Sequence, residues 1–334
     1  MSNQTKVILL NNRPEATPEH SDFKFIEETV PEIETDQVLL KSLFVSVDPY
    51  LRGRMRDIKS YIPPFELHQP ITSAIVAEVI ESKNDRYVKG DYVLGNLPWK
   101  TLLIADGASI QKVKKMDMPL SAYLGVLGMT GLTAYFGLED IGKLKEGETL
   151  VVSGAAGAVG SIVGQIGKIK GCRVVGIAGT DDKINTLKKD FNFDEGINYK
   201  TTDDMRKALA QVCPDGIDVY WDNVGGAISD AVLFHINQFA RIINCGAIAD
   251  YNEKEMPTSM SPQTFLIKNS ALMQGFIVSN YQKQFLEGIE QLATWLQQGK
   301  LTHKETIVEG FEHIPQAFID LFNGTNTGKM VVKI

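Results

Sequence analysis

Leu150-Val151-Val152-Ser153-Gly154-Ala155-Ala156-Gly157-Ala158-Val159-Gly160 constrains the fold more than any other stretch of this chain. Its β-branched start has the texture of a buried strand, which breaks into glycines and small residues. Ser161-Ile162-Val163-Gly164-Gln165-Ile166-Gly167-Lys168 continues with helical spacing. A second apolar run, Arg173-Val174-Val175-Gly176-Ile177-Ala178, follows at the distance of a parallel βαβ unit. Such a turn lets backbone N–H groups approach a pyrophosphate at a helix N-terminus. Measured against G-x-G-x-x-G, Gly157 and Gly160 hold the second and third glycine positions and Ala155 the first. The Gly-Lys-Ser/Thr ending of an ATP or GTP phosphate loop is lacking, so the turn points to a dinucleotide.

At 334 residues the chain exceeds one typical domain, and two are expected. A formal charge of -7 gives no reason to expect a nucleic acid or an anionic membrane as partner. Val7-Ile8-Leu9-Leu10 is too short for a secretory core or a membrane span, so the expected location is the cytoplasm. The three cysteines, Cys172, Cys213 and Cys245, stand far apart, and the five histidines are scattered. They read as core and surface residues, and no metal site is expected.

The first third reads as mostly β. Strands are expected over Lys6–Leu10, Phe23–Glu28, Val38–Val47, Thr72–Ile80, Tyr92–Gly95, Thr101–Asp106 and Ser109–Val113, separated by turn residues as in a β-barrel-like domain. From about Ala122 helix and strand alternate. Gly196–Tyr199 is a short strand, Asp203–Val212 a helix, and Ile217–Asp222 a strand ending in Asn223-Val224-Gly225-Gly226. Ala227–Ile236 reads as a helix, Arg241–Gly246 and Leu272–Val278 as strands, and Phe285–Gln298 as an amphipathic helix stopped by Gly299. This succession predicts a doubly wound parallel sheet, hence an α/β fold. The tail from Thr306 holds a strand, a helix (Ile314–Phe322) and a last strand, Met330–Lys333.

Several segments in order give the chain a family likeness: Ser46-Val47-Asp48-Pro49-Tyr50-Leu51-Arg52-Gly53-Arg54-Met55, Gly128-Met129-Thr130-Gly131-Leu132-Thr133-Ala134-Tyr135, Asp222-Asn223-Val224-Gly225-Gly226, Cys245-Gly246-Ala247-Ile248-Ala249-Asp250-Tyr251-Asn252 and Gly324-Thr325-Asn326-Thr327-Gly328-Lys329. Together they resemble the medium-chain dehydrogenase/reductase superfamily, in its zinc-independent prostaglandin/leukotriene reductase-like branch of alkenal and enone reductases. The resemblance implies a GroES-like β-barrel catalytic domain from residues 1–128 and 295–334. A Rossmann NADP-binding domain, 129–294, is inserted between them. Ser46-Val47-Asp48 stands where zinc enzymes of the superfamily carry a ligand cysteine.

Alcohol oxidation calls for a Lewis acid at a developing alkoxide. Hydride addition to the β-carbon of an enone yields a delocalised enolate, for which hydrogen-bond donors suffice. A chain without zinc ligands therefore suits carbon–carbon double-bond reduction. Tyr251, just past a strand end, is the candidate donor, because a phenol stays protonated at neutral pH. Tyr50 is the candidate for the substrate pocket. Arg52 and Arg54 could face an acidic substrate tail or the cofactor phosphates, or be taken up in ion pairs.

The second strand of the βαβ unit ends Gly176-Ile177-Ala178-Gly179-Thr180, without the acid that holds an NAD ribose. Asp181 just beyond keeps NAD open, while Lys183 could pair with a 2′-phosphate. The resemblance resolves this toward NADP(H), since it implies that Lys183 and Tyr199 contact that phosphate. It further implies that Gly157, Ala158, Val159 and Gly160 meet the pyrophosphate. Asn223, Cys245, Gly246, Ala247, Ile248, Tyr251, Phe276, Ile277, Val278 and Asn326 would flank the rest of the cofactor. Asn252–Ser261 reads as a polar loop. Edge pairing of Leu272–Val278 would make a homodimer. Quinone reduction and a non-catalytic NADPH-binding role remain as alternative readings.

Overall fold

Alternation of buried and exposed residues builds the first strands. The computed structural model describes residues 4–114, 118–255 and 258–334. β1 (Gln4–Leu10) pairs antiparallel with β2 (Phe23–Thr29). β3 (Gln37–Ser46), the short helix α1 (Leu51–Arg54), β4 (Thr72–Ser82), β5 (Tyr92–Pro98), β6 (Leu102–Asp106) and β7 (Ile110–Lys112) follow. β3 is antiparallel to β4 along most of its length, and its other edge takes β6 opposite Gln37–Lys41.

Helices and parallel strands then alternate. α2 (Met129–Phe136) precedes β8 (Thr149–Ser153), α3 (Gly160–Ile169), β9 (Arg173–Ala178), α4 (Asp181–Asp190), β10 (Glu195–Asn198), α5 (Met205–Val212), β11 (Ile217–Asp222), α6 (Gly226–Leu233), β12 (Ile236–Asn244), α7 (Gln263–Asn269), β13 (Leu272–Gly275) and α8 (Phe285–Gln297). The six strands order as β10-β9-β8-β11-β12-β13 and every neighbouring pair is parallel. All five residues of β8 are buried, as a central strand covered on both faces requires. Tyr220 of β11 packs in one core with Leu209 of α5 and Val232 of α6. The next residue, Trp221, faces the opposite side, where a Cβ on Gly137 would lie 2.4 Å from its ring. The sheet is therefore wound on both faces.

The chain returns through β14 (Glu305–Glu309), α9 (Ile314–Asn323) and β15 (Lys329–Lys333). β15 pairs with Phe44–Ser46, the part of the β3 edge that β6 leaves open. The result is a seven-stranded antiparallel sheet ordered β14-β15-β3-β4-β5-β7, with β6 on β3. Its core holds Ile8, Leu40, Ile75, Trp99, Phe318 and Val332. Trp99 is fully buried and its indole N–H donates to Ser73 Oγ at 2.8 Å. Truncating such a side chain costs about 3–5 kcal/mol. Among the described residues the chain divides into two compact units, Met1–Leu124 with Thr306–Asn326 and Met330–Ile334, and Gly125–Glu305 with Thr327–Lys329. The fold class is α/β, a GroES-like antiparallel-sheet unit and a Rossmann-type unit.

Two elements depart from the sequence expectation. The helix expected over Ala227–Ile236 stops at Leu233, and Ile236 instead opens β12, pairing with Ile217. A register shift between Ile217 and Val219, with Phe239 at φ 63, makes room for this extension. The strand expected over Leu272–Val278 ends at Gly275, because its partner β12 ends at the facing Asn244. Of the expected loop Asn252–Ser261, residues 256–257 lie outside the described residues.

Candidate functional site

Parallel strands end on one edge of their sheet, and the turns on that edge carry most of the residues singled out by sequence. After β8 the chain turns at Gly154 (φ +59), Ala155 N–H donates to Ile177 O at 3.0 Å, and Gly157 N–H to Gly154 O at 3.0 Å. A Cβ on Gly160 would lie 2.4 Å from Gly154 O and 2.8 Å from Ala155 Cα, so only glycine lets α3 start this near the strand. A Cβ on Gly157 would meet Gly154 O alone, at 3.2 Å. Gly157, Ala158 and Val159 are partly exposed between a buried strand and a buried helix start. The first N–H groups of a helix lack intrahelical acceptors, so this opening fits a pyrophosphate.

The tail motif reaches the same turn. Gly328 N–H donates to Ala156 O at 2.7 Å, and Gly328 forms a parallel bridge with Gly157. Its φ of +70 and the Lys304 carbonyl, 1.9 Å from any Cβ there, make glycine obligatory. The sequence places Gly328 in the tail motif but carries no sign of this contact.

The loops after β11 and β12 run side by side. Cys245 and Gly246 N–H donate to Asp222 O (2.8 and 3.1 Å), Ile248 N–H to Asn223 O (3.3 Å) and Ala249 N–H to Val224 O (3.1 Å). Asn223, Cys245, Gly246, Ala247, Ile248 and Tyr251 are thereby brought together. The Tyr251 hydroxyl accepts from Ala247 N–H at 3.3 Å and lies 3.2 Å from where a Gly246 Cβ would stand. Burial, reinforced by Asp222, pushes the Cys245 thiol up to about 12, so it is no thiolate nucleophile at neutral pH.

Asp222 organises these loops, a role the sequence reading missed. Its carboxylate is 5% exposed and accepts from Ser153 Oγ (2.9 Å), Tyr220 OH (3.0 Å), Val224 N–H and Gly225 N–H (both 2.9 Å), and from Ser229 Oγ. The available signal was an acid at a strand end directly before Asn-Val-Gly-Gly. Asn223 spends its side chain on the scaffold: Nδ2 donates to Ser153 O at 2.7 Å and Oδ1 accepts from Trp221 Nε1 at 3.0 Å. Phe276, after β13, packs edge-on against Trp221 with centroids 5.9 Å apart, while Ile277 and Val278 are partly exposed.

At the ends of β9 and β10, Tyr199 N–H donates to Ala178 O at 3.1 Å. A Cβ on Gly179 would lie 3.2 Å from the Tyr199 hydroxyl, so the ring covers that glycine. Lys183 sits in the first turn of α4, whose N-cap Thr180 Oγ1 accepts from Lys183 N–H at 3.3 Å. Burial and then the nearby Lys200 hold the Lys183 ammonium below the ordinary lysine range. Asp181, which kept NAD open, accepts from Asn198 Nδ2 at 2.7 Å.

Tyr50 and Asn326 belong to the other unit. Burial, and next the Asp48 carboxylate, hold the Tyr50 phenol protonated well above its ordinary range. Arg52 is fully buried, and its Nη2 donates to the Pro14 and Ala16 carbonyls at 3.0 and 2.9 Å. Arg54 donates to Pro63 O and Thr72 Oγ1 and lies 3.8 Å over the Phe65 ring. Both arginines therefore staple neighbouring segments of their own unit. Among the described residues, no group of three or more His, Cys, Asp or Glu side chains could hold a metal ion. Asp48, in the segment where a ligand would stand, takes the Ser46 hydroxyl instead.

Residues 6–113 match the family described as the N-terminal domain of oxidoreductase, and residues 158–294 the one described as zinc-binding dehydrogenase. Despite that second description, the described residues assemble no donor set that fits zinc. The chain is 41% identical to the NADPH-dependent curcumin reductase of Escherichia coli (strain K12), covering 98% of this chain and 96% of that protein. It is likewise 41% identical to the 2-alkenal reductase (NADP(+)-dependent) of Nicotiana tabacum, over 98% and 97% of the two chains. CurA from Vibrio vulnificus, solved in complex with NADPH, superposes with a TM-score of 0.94 at 41% identity, covering 98% of each chain.

Proposed function

The chain belongs to the medium-chain dehydrogenase/reductase superfamily, in its zinc-independent branch of prostaglandin and alkenal reductases, and from that membership we propose that it reduces the carbon–carbon double bond of α,β-unsaturated ketones and aldehydes with NADPH. The observation that carries this is similarity along the whole chain to reductases named for NADPH or NADP(+) and for curcumin and 2-alkenals. The parallel-sheet unit is the cofactor domain in this reading and the antiparallel unit the catalytic domain.

NADPH, when bound, supplies the hydride. The turn from Gly157 to Gly160 would receive the pyrophosphate at the start of α3, with Gly157 leaving room for its approach, and Lys183 with Tyr199 would receive the 2′-phosphate. Asn223, Cys245–Ile248 and Ile277–Val278 border the remainder, Phe276 shapes that wall from behind, and Asn326 is assigned a cofactor contact by family resemblance. Reduction at the β-carbon leaves negative charge on the carbonyl oxygen of the substrate. The Tyr251 phenol donates a hydrogen bond to that oxygen, which is cheapest in a preorganised, water-poor setting. The α-carbon takes its proton from the same phenol or from water. Tyr50, protonated by its burial, contacts substrate. No step calls for a metal.

The reading extends to a cytoplasmic homodimer. β13 ends the sheet order, with Leu272 45% exposed, and Ile267 of α7 is 79% exposed. Among the described residues no helix is long and apolar enough to cross a membrane. The test follows NADPH oxidation with an enone, a quinone and a saturated alcohol, and identifies the products. A saturated product with its carbonyl intact supports the reading. Turnover of the quinone alone, or tight NADPH binding without turnover of any of the three, overturns it.

A further inference from the structure

Asn198, Tyr199 and Lys200 leave β10 together, beside the end of β9, and each has a definite task there. The register pairs Asn198 with Ala178, so the next residues fall alongside Gly179 and Thr180. A Cβ on Gly179 would stand 3.0 Å from Tyr199 Cε1 and 3.3 Å from Lys200 Cε. Both side chains therefore fold back over a residue that has none, and any larger residue at 179 would displace them. Asn198 fixes the arrangement at both ends of its amide. Its Nδ2 donates to Asp181 Oδ1 at 2.7 Å, and its Oδ1 accepts from Lys200 N–H at 3.1 Å. Asp181, the first acid beyond the end of β9, is thus turned toward an amide, while the same amide sets the backbone of a lysine.

The Lys200 side chain lies over Gly179, and Lys183 stands in the first turn of the ten-residue helix α4, whose N-terminus is the positive end of a dipole. The lowered pKa of Lys183, which traces in part to Lys200, agrees with their closeness. Converging like charges cost free energy unless an anion lies between them. A phosphate monoester carries nearly two negative charges at neutral pH and accepts several hydrogen bonds.

Resting on the NADPH reading, we propose that Lys200 is a second 2′-phosphate ligand opposite Lys183, and that Asn198 is the positioning residue that holds Asp181 away and Lys200 in place. Lys200 is exposed, so replacing it does not threaten the fold. The experiment measures dissociation constants for NADPH, NADH and adenosine 2′-monophosphate by calorimetry at two salt concentrations. It uses the wild type, Lys200→Met, Lys200→Arg and Asn198→Ala. Lys200→Met should weaken NADPH and adenosine 2′-monophosphate roughly tenfold, with NADH changed less than about twofold and a shallower salt dependence for NADPH. Lys200→Arg should restore most of the loss, and Asn198→Ala should narrow the NADPH-to-NADH ratio. Equal weakening of NADPH and NADH by Lys200→Met, or no weakening, overturns the Lys200 assignment while leaving NADPH preference intact. A wild type that binds the two cofactors equally overturns the preference itself, and the inference with it.

Discussion

The side-chain amide of Asn223 donates to the carbonyl of Ser153 at 2.7 Å, and the Ser153 hydroxyl accepts from the Asn223 N–H at 2.9 Å. This two-way clasp ties the end of β8, where the glycine turn begins, to the end of β11, where the second loop begins. The same hydroxyl donates to Asp222 at 2.9 Å. Ser153→Ala keeps the bond to the backbone carbonyl but removes both hydroxyl bonds from a fully buried position, leaving the Asn223 N–H and the Asp222 carboxylate each short of a partner. The expected loss is about 1–3 kcal/mol of stability, with weaker NADPH binding. Urea unfolding and cofactor titration read both, and an unchanged midpoint would contradict the assigned role.

Tyr251→Phe should lower kcat by about a hundredfold, the usual cost of one oxyanion donor, with little change in NADPH affinity. Single-turnover kinetics at saturating cofactor measure it. Undiminished turnover would remove Tyr251 from the mechanism.

Two glycines of one turn should behave differently. Gly160→Ala drives a methyl to 2.4 Å from Gly154 O and must shift the helix start, costing about 1–3 kcal/mol. Gly157→Ala meets that carbonyl at 3.2 Å, so the fold should tolerate it while the methyl narrows the approach of the pyrophosphate. Thermal unfolding and NADPH titration of the pair separate the two roles. The prediction fails if Gly157→Ala melts as early as Gly160→Ala.

His235 Nε2 is buried with no hydrogen-bond partner among the described residues, and burial holds its imidazole below the ordinary histidine value. The unfolded chain takes up the proton near pH 6.5, the folded chain only below that. In that window the unfolded state binds more protons, so this contribution to stability is fully present above about pH 6.5. It is lost as pH falls through the folded pKa. His235→Leu should flatten this part of the profile in urea unfolding between about pH 7.5 and 5.5. A slope equal to that of the wild type would show that other groups produce it.

The donor set makes a further expectation concrete. Prolonged dialysis against a chelator should leave enone turnover unchanged, because no group of metal-ligating side chains is assembled among the described residues. Loss of activity restored by zinc would refute the proposed chemistry.

Element type was legible wherever a local pattern carried it. The all-buried run of β8 and the small residues before α3 announce a βαβ turn without help from the rest of the chain. Boundaries set by distant partners were not legible. Ile236 joins β12 because Ile217 pairs with it, and β13 stops where β12 stops. Arg52 was equally opaque, since its role depends on the carbonyls of Pro14 and Ala16, which are remote in sequence.

The sequence by itself determined the succession of strands and helices, the glycine turn after β8 and the lack of an acid at the end of β9 itself. Each is encoded in side-chain period or residue type within a short window. Only the tertiary structure decided that Gly328 fastens the glycine turn, that Asp222 gathers two loops, and that Tyr199 and Lys200 fold over Gly179. Hydrogen bonds and charge pairs of this kind join residues from different strands. Their partners are chosen by sheet order and register, which no single segment carries.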